Sequence, residues 1–245
     1  MDDPRLAAHQ LLVAVATYNE MENLPRLVDA IFQSLPEADL LVVDDNSPDG
    51  TGRWCDTRAS GDARIHCLHR PEKLGLGTAT LAALEFAMKH GYRYVINLDA
   101  DFSHAPSDLP RLLAAIEQAE SPVIDVVIGS RYVPGGEIRG WPFWRHLMSR
   151  AVNTYARWVL GLPCRDCSGA FRSYRVERLK SLDFDGFYSS GYSVLEELLW
   201  RLQRVGARFQ EIPIVFTNRQ RGVSKINARE ALAALWIILR LAVNG

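Results

Sequence analysis

Short apolar segments, each handing over to a stretch of helical period, constrain this chain more than any other feature. Leu11 to Ala16 reads as a strand buried on both faces and ends at Thr17-Tyr18-Asn19-Glu20. Leu24, Leu27, Val28, Ile31, Phe32 and Leu35 then recur at helical spacing, with Asn23 placed to cap the helix and Pro25 acceptable in its first turn. Leu40-Leu41-Val42-Val43 is a second buried-type strand, running into the turn formers Asp44-Asp45-Asn46-Ser47-Pro48-Asp49-Gly50. A helix from Thr51, a strand at Ile65 to Leu68, a helix over Thr78 to Lys89 and a strand at Tyr94 to Leu98 continue the order. With right-handed crossovers this order predicts an α/β fold: a mostly parallel, Rossmann-like sheet flanked by helices, its ligands beyond the carboxyl ends of the strands.

The second half is less regular. The pattern predicts a helix from Ser107 to Ala119 capped by Ser107, a strand at Val126 to Gly129, helices at Phe143 to Leu160 and Val194 to Val205, and strands at Phe171 to Tyr174 and Ile212 to Thr217. These elements are expected to finish the sheet and lay an acceptor site over it. No repeat, low-complexity tract or long linker divides the chain, and 245 residues at 48% hydrophobic content can bury one core. The expected organisation is a catalytic domain over residues 1–225 and an amphipathic C-terminal helix over 226–245.

Charge and cysteine usage narrow the function classes. The balance of 28 basic to 29 acidic residues provides no global field for generic nucleic-acid binding, so any anion must be met locally. Met1-Asp2-Asp3-Pro4-Arg5 lacks the basic segment and apolar run of a secretory signal, which sets the expectation of a cytoplasmic protein. Four cysteines in a chain this long do not make a disulfide framework; Cys164 and Cys167 form one C-x-x-C without a second ligand pair, for which buried, neutral thiols are the plainer reading than zinc or redox use.

The chemistry concentrates at predicted strand ends. Asp99-Ala100-Asp101 puts two carboxylates two residues apart where a central strand meets the crevice. Mg²⁺ or Mn²⁺ prefers oxygen ligands and is typically held by one or two carboxylates plus substrate phosphates. The alternative is that Asp101 merely caps a turn. Asp44-Asp45 offers acceptors to a nucleotide's ribose or base, or else an Asx-turn joined by Asn46, Ser47 and Asp49. Lys73-Leu74-Gly75-Leu76-Gly77-Thr78-Ala79 is a glycine-containing turn opening a helix, suited to close approach of a phosphate or sugar. Neither a Walker loop nor a G-x-G-x-x-G after the first strand is present, which argues against a P-loop NTPase and a dinucleotide dehydrogenase.

These segments, followed by Gly129-Ser130-Arg131-Tyr132, Asp166-Cys167-Ser168-Gly169-Ala170-Phe171-Arg172, and Glu211-Ile212-Pro213-Ile214-Val215-Phe216 leading to Arg219, Gly222, Ser224 and Lys225, resemble the dolichol-phosphate (polyprenol-phosphate) mannosyltransferases. Those belong to the family 2 glycosyltransferases of the A-type nucleotide-sugar fold, and the likeness runs in order along nearly the whole chain. The resemblance implies a donor pocket around Ala16, Tyr18, Glu20, Asp45 and Asp49, completed by Lys73 and Ala100, with the metal on Asp99 and Asp101 and Ser103 beside it. It further implies that Arg131, Arg145, Ser149, Arg219 and Lys225 handle the lipid phosphate and the donor diphosphate, Arg145 and Ser149 on the acceptor side. Ala16 stands where the family often has Pro, and Ser103 where some members carry Gln, which leaves the outer metal ligands open.

The implied reaction is an inverting transfer of mannose from GDP-mannose to dolichyl or another polyprenyl phosphate, assisted by Mg²⁺ or Mn²⁺. A phosphate monoester is already anionic, so it needs no general base; the task is to hold two anions together, and arginines do that through planar bidentate contacts. Arg131, Arg139, Arg145, Arg150, Arg157, Arg172, Arg219 and Arg221 supply guanidinium in the second half, any one of which is otherwise an ordinary surface charge. Glu196 and Glu197 read as structural rather than as a hidden base. The alternatives are UDP-glucose or another donor, a non-catalytic nucleotide-sugar-binding scaffold of a membrane complex, and a nucleotidyltransferase, the last disfavoured for want of a glycine-rich phosphate loop near the N-terminus.

The apolar stretch from Ala231 to Val243 includes Arg240 and is too short to span a bilayer, which takes about 20 apolar residues. Either it packs on the domain or it lies in the membrane interface with Leu235, Trp236 and Leu239 inserted. Because a polyprenol acceptor comes from a bilayer, the expectation is a peripheral protein on the cytosolic face of a membrane, the plasma membrane in a bacterium or the endoplasmic reticulum in a eukaryote. Small membrane subunits are candidate partners, and Phe143, Trp144 and Trp158 are either lipid contacts or, as aromatics at this spacing more often are, core.

Overall fold

The computed structural model describes residues 10–118, 122–189, 191, 193–218 and 228–244. The first half alternates as expected: β1 (Leu11–Thr17), α1 (Leu24–Ser34), β2 (Asp39–Asp44), α2 (Thr51–Gly61), β3 (Ile65–His69), α3 (Leu76–Lys89) and β4 (Tyr94–Asp99). Then come α4 (Leu109–Glu117), β5 (Val126–Ser130), β6 (Glu137–Arg139), α5 (Phe143–Leu160), β7 (Arg172–Arg175), α6 (Val176–Leu179), α7 (Val194–Arg204), β8 (Phe209–Pro213), β9 (Val215–Thr217) and α8 (Ala228–Asn244).

The main sheet has the order β3-β2-β1-β4-β7-β5-β8. All its pairings are parallel except those of β7, which runs antiparallel between β4 and β5. Parallel strands covered on both faces must be apolar on both, and β1 and β2 are buried along nearly their whole length. On one face Leu12, Ala14, Leu41 and Val43 pack with Ala83 and Leu84 of α3 and Leu198 and Leu202 of α7; Ile238 and Leu241 of α8 join that layer. On the other, Val13, Val15, Leu40 and Val42 meet Leu27 and Ile31 of α1 and Leu112 and Ile116 of α4. Each of the buried valines, leucines and isoleucines contributes roughly 1.5–3 kcal/mol by leaving water. The crossover order carries the acidic turns after β1, β2 and β4 to one edge.

Four local expectations need correction. Asn23 does not cap α1 through its side chain, because its amide donates to Glu20 instead at 2.9 Å. Ser107 lies inside a 3-10 turn, Pro106–Asp108, and α4 starts only after it. Helix α3 begins two residues earlier than Thr78, at Leu76, following Gly75 with φ 93°. The single strand expected over Ile212 to Thr217 is two: Pro213 ends β8, and Val215 to Thr217 leaves the main sheet to pair in parallel with β6. A proline has no N–H for the ladder, so the chain changes partner there.

Candidate active site

Loops after β1, β2 and β3 are knitted together by side chains bonding to backbone. Asp49 accepts from Met21 N at 3.0 Å and from Thr51 N and Oγ1 at 3.0 and 2.6 Å. Partial burial pushes its carboxyl up, but these donors outweigh it and hold the group below the usual range. Ser47 Oγ accepts from Asn19 N, and Thr51 Oγ1 from Glu20 N. Asp44 ties down its own turn by accepting from Ser47 N at 2.9 Å and Ser47 Oγ at 2.6 Å, the plainer of the two readings for that residue. Asp45, its neighbour, spends both oxygens on the loop after β3: Arg70 Nε donates at 2.5 Å and Gly75 N at 2.8 Å. Arg70 also reaches Thr78 Oγ1 and the Gly75 carbonyl, so a buried ion pair latches the glycine turn. Lys73 lies 4.3 Å over the Tyr18 ring. Tyr18, Glu20, Asp45, Asp49 and Lys73 are thus brought to one crevice rim.

Ala16 pairs with Asp99 across β1 and β4, and both line a small hollow with Asn97, Thr80 and Ala170. Asn97 is buried, and its amide has no hydrogen-bond partner among the described residues. After Asp99 the backbone turns sharply: Phe102 adopts φ 58°, uncommon for an aromatic, and folds Ser103 back so that its N–H and hydroxyl donate to Asp101 Oδ1 at 3.0 and 2.5 Å. That bond is the turn-capping role weighed for Asp101, and it also fixes the direction of a carboxylate at the strand end. His104 lies beneath, stacked on Phe171 with ring centroids 4.9 Å apart. Its Nδ1 is 3.7 Å from Asp99 Oδ2, beyond hydrogen-bond reach, and burial together with Arg131 pushes its pKa down to about 4. The ring is therefore neutral near pH 7, and the contact is packing rather than a salt bridge.

Arg131, just past β5, is buried against Asp166 in a bidentate pair at 2.7 and 2.6 Å, and Nη2 also reaches Ser168 Oγ at 3.0 Å. Burial pushes the Asp166 carboxyl up, and the guanidinium outweighs it and keeps the group ionised. Nε and Nη2 are spent on Asp166 and Ser168, and among the described residues Nη1 makes no hydrogen bond. Arg131 and Arg145 share the Trp141 ring, at 5.8 and 4.2 Å. Ser149 Oγ is 2.7 Å from the Tyr132 hydroxyl. The structure therefore gathers Arg131, Arg145 and Ser149, and the His104–Phe216 edge contact at 5.3 Å joins that group to the acidic turn after β4. Arg219 and Lys225, together with Arg221, lie outside the described residues.

A sequence profile of glycosyl transferase family 2 matches residues 12–182. The chain belongs to glycosyl transferase family 2. It is 42% identical over 235 residues to the polyprenol monophosphomannose synthase of Mycolicibacterium smegmatis, covering 96% of this chain and 87% of that one. It is equally 42% identical over 242 residues to the undecaprenyl-phosphate mannosyltransferase of Micrococcus luteus, covering 94% and 98%. Among solved structures, glucosyl-3-phosphoglycerate synthase from Mycobacterium tuberculosis with Mg²⁺ and uridine diphosphate shares the fold, with TM-score 0.68, 22% identity, and 96% and 80% of the two chains covered. The same enzyme with Mn²⁺, uridine diphosphate and glucosyl-3-phosphoglycerate gives TM-score 0.64 at 20% identity, covering 97% and 79%. The protein is a glycosyltransferase with the A-type nucleotide-sugar fold.

Several residues of this glycosyltransferase escaped the sequence reading. Arg70 lies between two motifs, and only the pairing of β2 with β3 reveals that it faces Asp45. Asp166 stood in a quoted motif without a role. Arg172 is neither a surface charge nor a phosphate ligand: fully buried, it donates to the Leu195 and Cys167 carbonyls at 2.8 and 2.6 Å and braces α7 against β7. Glu197 is structural as expected, accepting from Tyr188 N, Ser189 N and Arg201. Glu196 differs, for it is buried with Oε2 unpartnered among the described residues, and burial pushes its pKa up to about 7. Gly77 lets α3 touch α7, because a Cβ there would collide with the Gly191 carbonyl and Val194. Cys164 and Cys167 are free, buried thiols with sulfurs 3.8 Å apart.

Proposed function

We propose that this glycosyltransferase moves mannose from GDP-mannose to a polyprenyl or dolichyl phosphate with inversion. The observation that carries this reading is the 42% identity, over 94–96% of the chain, to two enzymes named for mannose transfer to polyprenyl phosphates. The charge layout supports it, with a carboxylate-rich rim for a nucleotide sugar on one side and an arginine group for a second anion on the other.

Asp99 and Asp101, with Ser103 behind them, offer oxygen donors only, a set that fits Mg²⁺ or Mn²⁺. Such an ion, when bound beside the donor diphosphate, offsets the negative charge that collects on the leaving group. The chain's own residues do the rest. Ala16, Tyr18, Glu20, Asp45, Asp49, Lys73 and Ala100 form the donor site, the Asp45–Arg70 pair holding the glycine turn against it. Arg145 and Ser149 take the acceptor phosphate, and Asp166 aims Arg131 at the same anion. Arg219 and Lys225 are assigned to the diphosphate. No general base is needed, because the acceptor oxygen already carries the charge that attacks the anomeric carbon.

The acceptor's tail has a matching surface. Phe143, Trp144, Leu147, Met148 and Trp158 stand exposed along one stripe of α5, with exposed Arg150 and Arg157 beside it. Helix α8 packs on α5, buries Ile238 and Leu241, and exposes Trp236, Leu239 and Val243. Among the described residues no helix is long and apolar enough to cross a membrane. An apolar stripe with flanking arginines is the form of an interfacial helix, so we assign this face to the lipid surface, with the catalytic crevice opening beside it. Both readings of the tail then hold at once: one face of α8 is core and the other meets lipid.

Donor choice is tested by incubating the protein with a short-chain polyprenyl phosphate and either labelled GDP-mannose or labelled UDP-glucose. The expected result is a mannosylated lipid from the first and little product from the second. Transfer confined to UDP-glucose would overturn the donor assignment while leaving the acceptor assignment standing.

A further inference from the structure

The outermost strand on one side of the sheet carries a second cluster of donor atoms, next to the end of β2, where Asp44 pairs with His69, and separated by two strands from β4 and its acidic turn. Cys67 and His69 are two residues apart on β3 and so project to one face, the face on which α2 packs. Helix α2 places Asp56 there, and His69 Nε2 lies 2.8 Å from Asp56 Oδ1. Ligand atoms of Asp56, Cys67 and His69 all lie within 4.8 Å of one another, and among the described residues they are the one such group of three or more histidine, cysteine or acidic side chains.

An Asp–His pair at a surface is ordinary, and such pairs contribute about 0–1 kcal/mol. The pair does not account for the thiol gathered with it, or for the seat given to the imidazole. Gly52 leaves that seat open: a Cβ there would stand 3.0 Å from His69 Cε1 and 2.9 Å from Asp44 Oδ2. The side chains of His69 and Asp56 are about half exposed, so an ion can reach them from solvent. Cys55 adjoins Cys67 from the core side.

We propose that Asp56, Cys67 and His69 bind a thiolate-accepting divalent transition ion of the Zn²⁺ type, at a site separate from the acidic turn after β4. Around Zn²⁺, nitrogen and oxygen ligands sit at about 2.0–2.2 Å and sulfur at about 2.3 Å, so neighbouring donors stand about 3–4 Å apart. Small side-chain rotations bring the observed cluster to that spacing. One sulfur, one nitrogen and one oxygen suit Zn²⁺, whereas Mg²⁺ and Mn²⁺ favour oxygen. Three protein ligands leave a fourth position to water. Binding releases the Cys67 proton to solvent and ties α2 to the outermost strand, so occupancy adds stability by mass action.

The full chain, stripped of metal and kept reduced, is titrated with Co²⁺ in excess Mg²⁺, following the thiolate-to-cobalt charge-transfer absorption. The expected result is a band saturating near one ion per chain and displaced by Zn²⁺. It disappears in Cys67→Ser and persists in Cys55→Ser and Cys164→Ser. His69→Ala, an exposed change that leaves the core untouched, weakens binding by at least the roughly 10–100-fold seen when even outer-shell partners of a metal are lost. Absence of the band in the wild-type protein overturns the proposal. So does a band that survives Cys67→Ser, one that vanishes in Cys164→Ser, or an affinity unchanged by His69→Ala. None of these readouts depends on transferase activity.

Discussion

The turn after β2 and the turn after β5 each bury an Asp–Arg pair, yet the two pairs stand in different surroundings. Asp45 and Arg70 belong to a mesh in which Asp44, Ser47, Asp49 and Thr51 bond to backbone N–H groups or to one another, and Arg70 keeps Thr78 and the Gly75 carbonyl as further acceptors. Arg131 sits among aromatic rings, and among the described residues Ser168 is the one acceptor besides Asp166 for its guanidinium. Both sides are thus meshed by side chains bonding to backbone, Asp166 accepting from Arg131 N and Gly169 N and Asn153 from Cys167 N and Ser168 N, but the two arginines differ in the acceptors they keep once the aspartate is lost. Two further acceptors should make Arg70 more tolerant of losing Asp45 than Arg131, left with Ser168, is of losing Asp166.

The largest expected effect tests that contrast directly. Removing one partner of a buried pair strands the other charge, at a cost of about 3–5 kcal/mol, so Asp166→Ala should lose that much stability in denaturant unfolding. Asp45→Ala should lose about 1–3 kcal/mol, because Arg70 retains its other acceptors. Steady-state kinetics should separate them further, Asp45→Ala raising KM for the nucleotide sugar and Asp166→Ala KM for the lipid phosphate. Equal stability losses and matching KM changes would remove the distinction between the two sides.

How much of this was legible in the sequence follows from the same contrast. The donor half is local: each buried strand is followed within a few residues by its acidic turn, so periodicity and turn chemistry sufficed to place Asp45, Asp49, Asp99 and Asp101 at one edge. The resemblance then supplied the roles. On the acceptor side the decisive contacts are long-range. Nothing in the apolar run around Phe171 says that β7 will insert antiparallel between β4 and β5, and that insertion is what sets Arg172 beside Asn97 and buries it. Asp166 reaches Arg131 across 35 residues. Burial of an arginine cannot be read from its neighbours in sequence, whereas an Asx-turn can. The split at Pro213 was readable in principle, since proline interrupts a ladder.

A second, slightly smaller effect sharpens the comparison through carboxylates. Donor-side Asp49 is held low by hydrogen bonds, whereas Glu196 is held up at about 7, chiefly by burial. A carboxyl whose folded pKa lies above its unfolded value near 4.5 contributes stability in full below that value and loses it as pH rises through about 7. The shift corresponds to roughly 3 kcal/mol over that window. Glu196→Gln removes the titration, so its stability relative to wild type should be greater at pH 8 than at pH 5. His104 titrates the other way, its folded pKa of about 4 costing stability as pH falls from about 6.5, but it does so in both proteins and cancels in the difference. A constant difference between the proteins across pH 5 to 8 would show that Glu196 is not the buried acid described.

The smallest effect on stability is expected at the exposed stripe of α5. Trp158→Ser and Phe143→Ser should leave unfolding within about 0.5 kcal/mol of wild type, as surface changes do, while reducing sedimentation with anionic lipid vesicles. Loss of stability without loss of vesicle binding would turn that stripe into a packing surface.

The most direct test of the central claim, that Asp99 and Asp101 hold a divalent ion beside the sugar's leaving group, is a Mn²⁺ or Mg²⁺ titration of mannose transfer after chelation. In wild type, transfer to polyprenyl phosphate should stop on chelation and return with the ion. Asp101→Asn, checked to be folded, should stay inactive at every concentration. Full turnover in the presence of chelator, or an Asp101→Asn variant as active as wild type, would contradict the account.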